Sequence, residues 1–590
     1  MTIPEQKSLQ QQQAPSNPES SSSDNNHAAP PKQSHVPPDV RVPPEKRTKA
    51  HAHPYLQGNF YPVFEETTGQ EGIECEVVGV IPESLRGSQY IRTGPNTLHI
   101  PEEQFAHHFF DGDGNSQVDP NGNVSIQPRY MNRYVRSEAF KKGNKHGPIL
   151  MSIGLFMNGG RSLWRVVRES ASHLFKASLY RFSNVANGNT ALAFLGSRLL
   201  ALQEAGVPWE MTVPALETVG EYYFEQEGQK RRPKLIPIPN SEACTAHPKV
   251  DPKNGDTVYF SWRLFKPYAF YGVISLDGKK RVWEQPIPGF KRATMSHDFA
   301  ITETHSIIMD LNYALNPVKN SKLGKPLVSF DADAPARFAI IPRYFDSKKN
   351  KVLWFETQSC HVFHTANAWD EKDRDGNVVA ICMVACRSER FVADINLWTP
   401  SGPDNYGGGK TKEEFERSYV RPGDGDYAHQ DPDATYLTLF RFDLQTMETR
   451  LGRLTKGKGI SEWEIGSDAL QQLDETIHKR CYFGPQIFGS EALFVPRESG
   501  NVELDEDDGF LLVYVYDENQ IRDDLVVDPE NQVTELWIYD AKTIDMDKGL
   551  LAKIRIPRRI PYGFHGLLVT KEQIQENKDL VARRSSPTAI

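Results

Sequence analysis

The chain has 590 residues, 38% hydrophobic, 25% charged and 10% aromatic, an ordinary balance for a folded globular protein. Its formal net charge of −9 excludes the basic surface that a nucleic-acid binder needs. Six cysteines (Cys75, Cys244, Cys360, Cys382, Cys386 and Cys481) are too sparse for a disulfide framework at this length, so reduced and mostly buried thiols are expected.

Residues 1–47 are rich in Gln, Ser, Asn and Pro and carry almost no large apolar side chain. Such a segment cannot bury enough surface to offset its ordering entropy, and a disordered tail is expected there. The opening MTIPEQKSLQQQQ shows no cationic start followed by the roughly 7–15 apolar residues of a secretory signal. No run approaches the roughly 18 apolar residues of a membrane span. A soluble, cytoplasmic protein with one large domain over residues 48–590 is the expectation.

Further along, the DGDG loop (111–114) invites a calcium reading. An EF-hand loop wants Gly at its sixth position and Glu at its twelfth; Ser116 and Gly122 stand there, so a shaping turn is expected instead. Residues 149–180 (ILMSIGLFMNGGRSLWRVVRESASHLFKASLY) place Leu163, Val167, Ala171, Leu174 and Ser178 on one helical face. Arg165, Arg168, Glu169 and Lys176 lie on the other flank. Two readings stand: an amphipathic helix packed on the body of the protein, or one that contacts a membrane or lipid-droplet surface or guards an apolar tunnel.

Most of the remaining chain has strand character. TVYFSWRLF (257–265), FYGVISL (270–276), NVVAICMVAC (377–386), TYLTLFRFDL (435–444), FLLVYVYDE (510–518) and TELWIYDAK (534–542) are short runs of β-branched and aromatic residues. Asp251–Asp256, Asp277-Gly278 and Asp375-Gly376-Asn377 supply turns between them. FRFDLQTMETRLGRL (440–454) and LWIYDAKTIDMDKGLLAKIRI (536–556) share the rhythm of an aromatic strand, an Asp-centred turn and a returning strand. No fixed period is present. Many short strands over some 500 residues predict an all-β fold, a single β-propeller rather than several small sandwiches.

Seventeen histidines offer many candidate ligands, and spacing alone does not choose among them. There is no HExxH and no Cys/His zinc pattern. Four histidines sit at strand or turn edges beside small or polar residues: His247, His297, His364 and His565, spaced 50, 67 and 201 residues apart. A propeller can bring such distant positions to its axis.

Taken together, YIRTGPN (90–96), HHFFDGDG (107–114), TAHPKVDPKNGD (245–256), SHDFAITETHSIIMD (296–310), FHTANAWD (363–370), EALFVPRE (491–498) and RRIPYGFHG (558–566) resemble the carotenoid cleavage oxygenases. The resemblance runs from His53 almost to the end. It implies a seven-bladed propeller with Fe(II) on its axis and a helical and loop cap over an apolar tunnel. It implies His247, His297, His364 and His565 as the iron ligands, and excludes His305, His361, His107 and His108 from that role. Three glutamates orient ligands in this family. Glu204 in LLALQEAG and Glu491 in GSEALFVP fall on two of those positions; Glu464 is the candidate for the third, with Glu462 and Glu475 behind it. Four neutral imidazoles suit Fe(II) and leave coordination sites for O2 and substrate.

The reaction implied is oxidative cleavage of one C=C bond of an apolar polyene to two carbonyl products. The flavour of HPYLQGNF, DDGFLLVYVYDE and TELWIYDAKT is similar to fungal enzymes acting on torulene or β-carotene. A stilbene cleaver is the first alternative, but such enzymes resemble a shorter version and carry a Lys where this chain has Gln203. A retinoid isomerohydrolase is the second, and a metal-free interaction scaffold the third.

Overall fold

Short β-branched and aromatic runs separated by Asp/Gly turns do form strands here, in antiparallel sheets. The computed structural model describes residues 58–68, 72–98, 113–120, 127–138, 140–141, 186–204, 206–224, 243–263, 266–322, 328–389, 435–453, 483, 487–498, 505, 507–520, 533–543 and 548–585. All fall within one unit, His35–Ile590. The expected tail (1–47), the helical insert at 149–180, His107 and His108, and Glu462, Glu464 and Glu475 lie outside the described residues.

The described residues form seven antiparallel sheets of three to five strands. All six strand-like runs singled out in the sequence are strands, at Thr257–Trp262, Ala269–Ile274, Val378–Ser388, Thr435–Asp443, Gly509–Asp517 and Thr534–Asp540. The Asp-centred turns join neighbours as expected. Gly255, Gly278 and Gly376 take positive φ of 71°, 86° and 84°, the left-handed conformation that glycine adopts without steric cost.

Several strands are buried along their whole length rather than on alternate residues, Ala269–Ile274 among them. Their unbroken apolar character follows from being covered on both faces. Apolar interfaces link six of the sheets in a row. Tyr90, Tyr514 and Leu536 join the sheet of Gln89–Pro95 to that of Thr534–Asp540. Ile91, Leu199 and Val569 join the former to the sheet of Arg198–Leu202. Leu200, Tyr259 and Ile274 continue to the sheet of Thr257–Trp262, and Phe260, Phe299 and Ile341 to that of Ala336–Pro342. Phe338, Phe355, Phe440 and Phe442 reach the sheet of Thr435–Asp443.

Strands from the early and late parts of the described chain pair with each other. Gly566–Val569 lies antiparallel to Gln89–Tyr90–Ile91–Arg92, and Glu76–Gly79 pairs with the strand Leu550–Ile556. Two buried arginines reinforce this pairing through carbonyls: Arg92 Nη2 donates to Pro561 O at 2.9 Å, and Arg559 donates to Asn59 O at 3.3 Å. Among the described residues five cysteines are free thiols, four of them buried, as expected. No helix among the described residues is long and apolar enough to cross a membrane.

Candidate metal centre

Edge strands carry the site. His247 stands in a bend just before Lys249–Val250, and His297 in the extended link that leads into Ala300–Ile301. His364 lies inside His361–Lys372, and His565 immediately precedes Gly566–Val569. Each strand is the edge of a different sheet. Local irregularities aim the side chains. A register shift between Val362 and Thr365 breaks the ladder at His364, which lets one residue leave the regular alternation. At His247 the backbone N–H donates to Thr245 Oγ1 at 3.1 Å, holding the bend ahead of Pro248.

His565 is placed by a close backbone crossing. A Cβ on Gly94 would stand 2.4 Å from the Cα of Gly563, so only glycine lets the two segments approach this closely. Phe564 N then donates to Thr93 O at 2.9 Å, and Thr93 N to His565 O at 3.1 Å. The glycines of GPN and PYGFHG therefore serve the histidine.

One nitrogen of each imidazole in the set His247, His297, His364 and His565 lies within 4.8 Å of the others. His247 Nε2 and His297 Nε2 are 2.7 Å apart. Two neutral imidazoles at that distance need a shared proton or a cation between their lone pairs. His364 Nε2 is buried and has no hydrogen-bond partner among the described residues, a cost that a bound cation removes. These residues fit a divalent metal ion, since imidazole nitrogens bind such ions at about 2 Å.

The outward nitrogens are anchored. His297 Nδ1 meets Glu204 Oε1 at 2.5 Å, and His565 Nδ1 meets Glu491 Oε1 at 2.8 Å. Glu491 Oε2 also accepts from Gly566 N at 2.9 Å. A carboxylate on one ring nitrogen fixes the tautomer and turns the other nitrogen's lone pair inward. Phe363 stacks on His297 at 4.2 Å, holding the ring plane. No carboxylate reaches His364 among the described residues; the segment that holds Glu462, Glu464 and Glu475 is outside them.

Electrostatics favour the metal-ready protonation states. Burial pushes the His247 imidazole well below its ordinary pKa, and His297, His565 and His364 push it further the same way. Burial, with help from His297 and His565, lowers His364 to about 4. Both rings are thus neutral near pH 7, as ligands must be. Burial raises the carboxyl of Glu204, but attraction and hydrogen bonding to His297 outweigh it and hold the group below its usual value. Glu491 follows the same balance, with His565 as its partner.

Other sequence candidates fall elsewhere. His305 bonds Thr304 Oγ1 through Nδ1 at 2.6 Å, and His361 is buried between Tyr313 and Phe363; neither belongs to the four-histidine set. Gln203 accepts from Asn187 N at 2.5 Å. Asp113 of the DGDG loop accepts from Leu98 N through Oδ2 at 3.2 Å, so its carboxylate is used in a bond to the backbone fifteen residues earlier. Sequence reasoning missed Lys249, Asp298 and Thr365, which line a cavity of about 360 Å³ beside the histidines. Their closeness to His247, His297 and His364 in the chain is the signal that could have found them.

The chain is similar to known proteins along most of its length. The profile of the Retinal pigment epithelial membrane protein family matches residues 60–570. A carotenoid 9,10(9',10')-cleavage dioxygenase of Crocus sativus is 32% identical, covering 88% of this chain and 90% of its own. The carotenoid dioxygenase carX of Gibberella fujikuroi is 27% identical, covering 90% and 91%. Among solved structures, the Pseudomonas brassicacearum lignostilbene dioxygenase superposes with a TM-score of 0.63 at 22% identity, covering 88% of this chain and 99% of its own. Cobalt-substituted Synechocystis ACO gives 0.57 at 21% identity, covering 86% and 97%. Both structures share the fold.

Replacing His247, His297, His364 or His565 with Ala removes one donor of four, and each variant is expected to lose most of its bound metal. His305→Ala and His361→Ala are expected to keep it. Glu204→Gln and Glu491→Gln retain the ligand but loosen its orientation, with an expected 10–100-fold loss of metal affinity or activity. Metal content after chelator challenge checks all of these; full retention in any of the four histidine variants contradicts the ligand set.

Proposed function

Because the chain belongs to the Retinal pigment epithelial membrane protein family, the carotenoid cleavage oxygenases, we propose that it is an Fe(II)-dependent dioxygenase that cleaves a C=C bond of a carotenoid or apocarotenoid. The observation that carries this reading is the convergence of His247, His297, His364 and His565 on one point. The family relation supports a propeller with those histidines on its axis, and so does the row of sheets joined through apolar interfaces. Iron, when bound, supplies the activation of O2.

The protein's own residues do the rest. The four imidazoles hold the ion with neutral donors. Glu204 and Glu491 fix the direction of His297 and His565, and a glutamate from the segment of Glu462, Glu464 and Glu475 is proposed to do the same for His364. The mass balance is complete without a further reductant: one alkene and one O2 give two carbonyl compounds, an oxygen atom entering each.

A long apolar polyene is favoured over a stilbene. The curated relatives quoted above at 27–32% identity are carotenoid dioxygenases, and the polar end of Gln203 is turned to the backbone of Asn187, where a phenol-binding Lys would otherwise stand. A torulene- or β-carotene-like substrate follows from the resemblance of HPYLQGNF, DDGFLLVYVYDE and TELWIYDAKT to fungal carotenoid cleavers. Incubating iron-loaded protein aerobically with carotenes, apocarotenals and stilbenes is expected to yield aldehydes from the polyenes. Stilbene cleavage with untouched carotenes reverses the substrate assignment, and turnover of retinyl ester without O2 uptake reverses the reaction class.

Such substrates are nearly insoluble in water, so we also propose that residues 149–180 take them from a membrane or lipid-droplet surface. The support is compositional: an apolar run, a Gly159-Gly160 break and an amphipathic pattern with Trp164 and flanking cations. Leu163→Glu with Leu174→Glu is expected to weaken liposome sedimentation and to slow cleavage of membrane-presented carotene more than of detergent-dispersed carotene. Unchanged sedimentation returns the segment to ordinary packing.

A further inference from the structure

The carboxylate of Asp298 ties together three of the strands that bring histidines to the centre. Asp298 directly follows His297 and is only 1% exposed. Its Oδ1 receives Lys249 Nζ at 2.8 Å; Lys249 lies two residues after His247. Its Oδ2 accepts from both the backbone N–H and the Oγ1 of Thr365, each at 2.8 Å; Thr365 directly follows His364. Thr365 Oγ1 also lies 3.0 Å from Phe299 O. The three residues belong to segments that lead three different sheets, and all three line the cavity beside the histidines.

We propose that Lys249, Asp298 and Thr365 form a positioning clamp that sets the mutual geometry of His247, His297 and His364, an inference that rests on the metal-centre reading above. Two features argue for this role over general packing. The buried carboxylate has hydrogen bonds on both oxygens and a cation on one, and so links three segments through the Thr365 backbone N–H and the Lys249 side chain. None of the four histidines gains a register from its partner histidines, because no ladder runs between the sheets that carry them. The clamp supplies that missing cross-link at a distance of one or two residues from each ring.

A positioning role differs from a purely structural one in what it moves. Asp298→Asn keeps the size of the side chain but weakens the bond to Lys249; Lys249→Met removes the cation; Thr365→Val removes one of two hydrogen bonds and is the mildest. Asp298→Asn and Lys249→Met are expected to lower metal affinity about 10–100-fold, the range seen when groups that orient ligands are lost, and Thr365→Val by less. The double variant is expected to match Asp298→Asn alone, since Lys249 acts through that carboxylate. Co(II)-loaded variants are expected to show a shifted ligand-field absorption spectrum. Wild-type affinity and an unchanged Co(II) spectrum in Thr365→Val and in whichever of the others folds, with only a lowered melting temperature of the metal-free protein, overturn the clamp while leaving the metal centre intact. A wild-type chain that takes up neither Fe(II) nor Co(II) overturns the metal centre and the clamp together.

Discussion

Four imidazole nitrogens drawn from four sheets must meet at one point, and the rest of the structure answers to that constraint. Nothing local favours it. The lone pairs repel, the rings lose water, and His364 Nε2 is left buried without a hydrogen bond. A polar group in that state costs about 1–3 kcal/mol, and a cation converts the cost into attraction. The fold therefore holds a site that is unfavourable alone and complete with an ion, the condition under which metal binding and folding are coupled.

Rigid surroundings make this possible. Fully buried strands and the aromatic interfaces between neighbouring sheets fix where each edge strand runs; three of the histidines sit just before those strands and His364 lies inside one. Small departures from regularity then aim the rings: the register shift at His364, the Thr245-held bend at His247 and the Gly94–Gly563 crossing before His565. Carboxylates complete the task, Glu204 and Glu491 by seizing the outward nitrogens and Asp298 by linking the segments of Lys249 and Thr365. Polar groups are concentrated in one place while ordinary apolar packing surrounds it.

Much of this was legible in the sequence. The six aromatic runs and their Asp/Gly turns carried enough local information to place strands and reversals. The choice of four histidines among seventeen was not local at all. His305 and His361 sit in contexts as strand-like as those of His297 and His364, and only the motif resemblance separated them. Glu204 and Glu491 were legible for the same reason, lying within recognisable motifs. Lys249, Asp298 and Thr365 were passed over because their link runs between residues 249, 298 and 365, and no periodicity in a single chain records a contact across sheets. Glu464 was the weakest assignment, resting on a segment without the expected motif, and it lies outside the described residues.

The central claim is that one iron ion is held by four histidine nitrogens. X-ray absorption at the iron edge of the loaded protein tests it most directly. The account predicts an inner shell of nitrogen and oxygen donors with multiple-scattering features of four imidazoles, and three in His297→Ala if that variant retains any iron. An inner shell containing sulfur, or one with two or fewer imidazoles in the wild type, contradicts it.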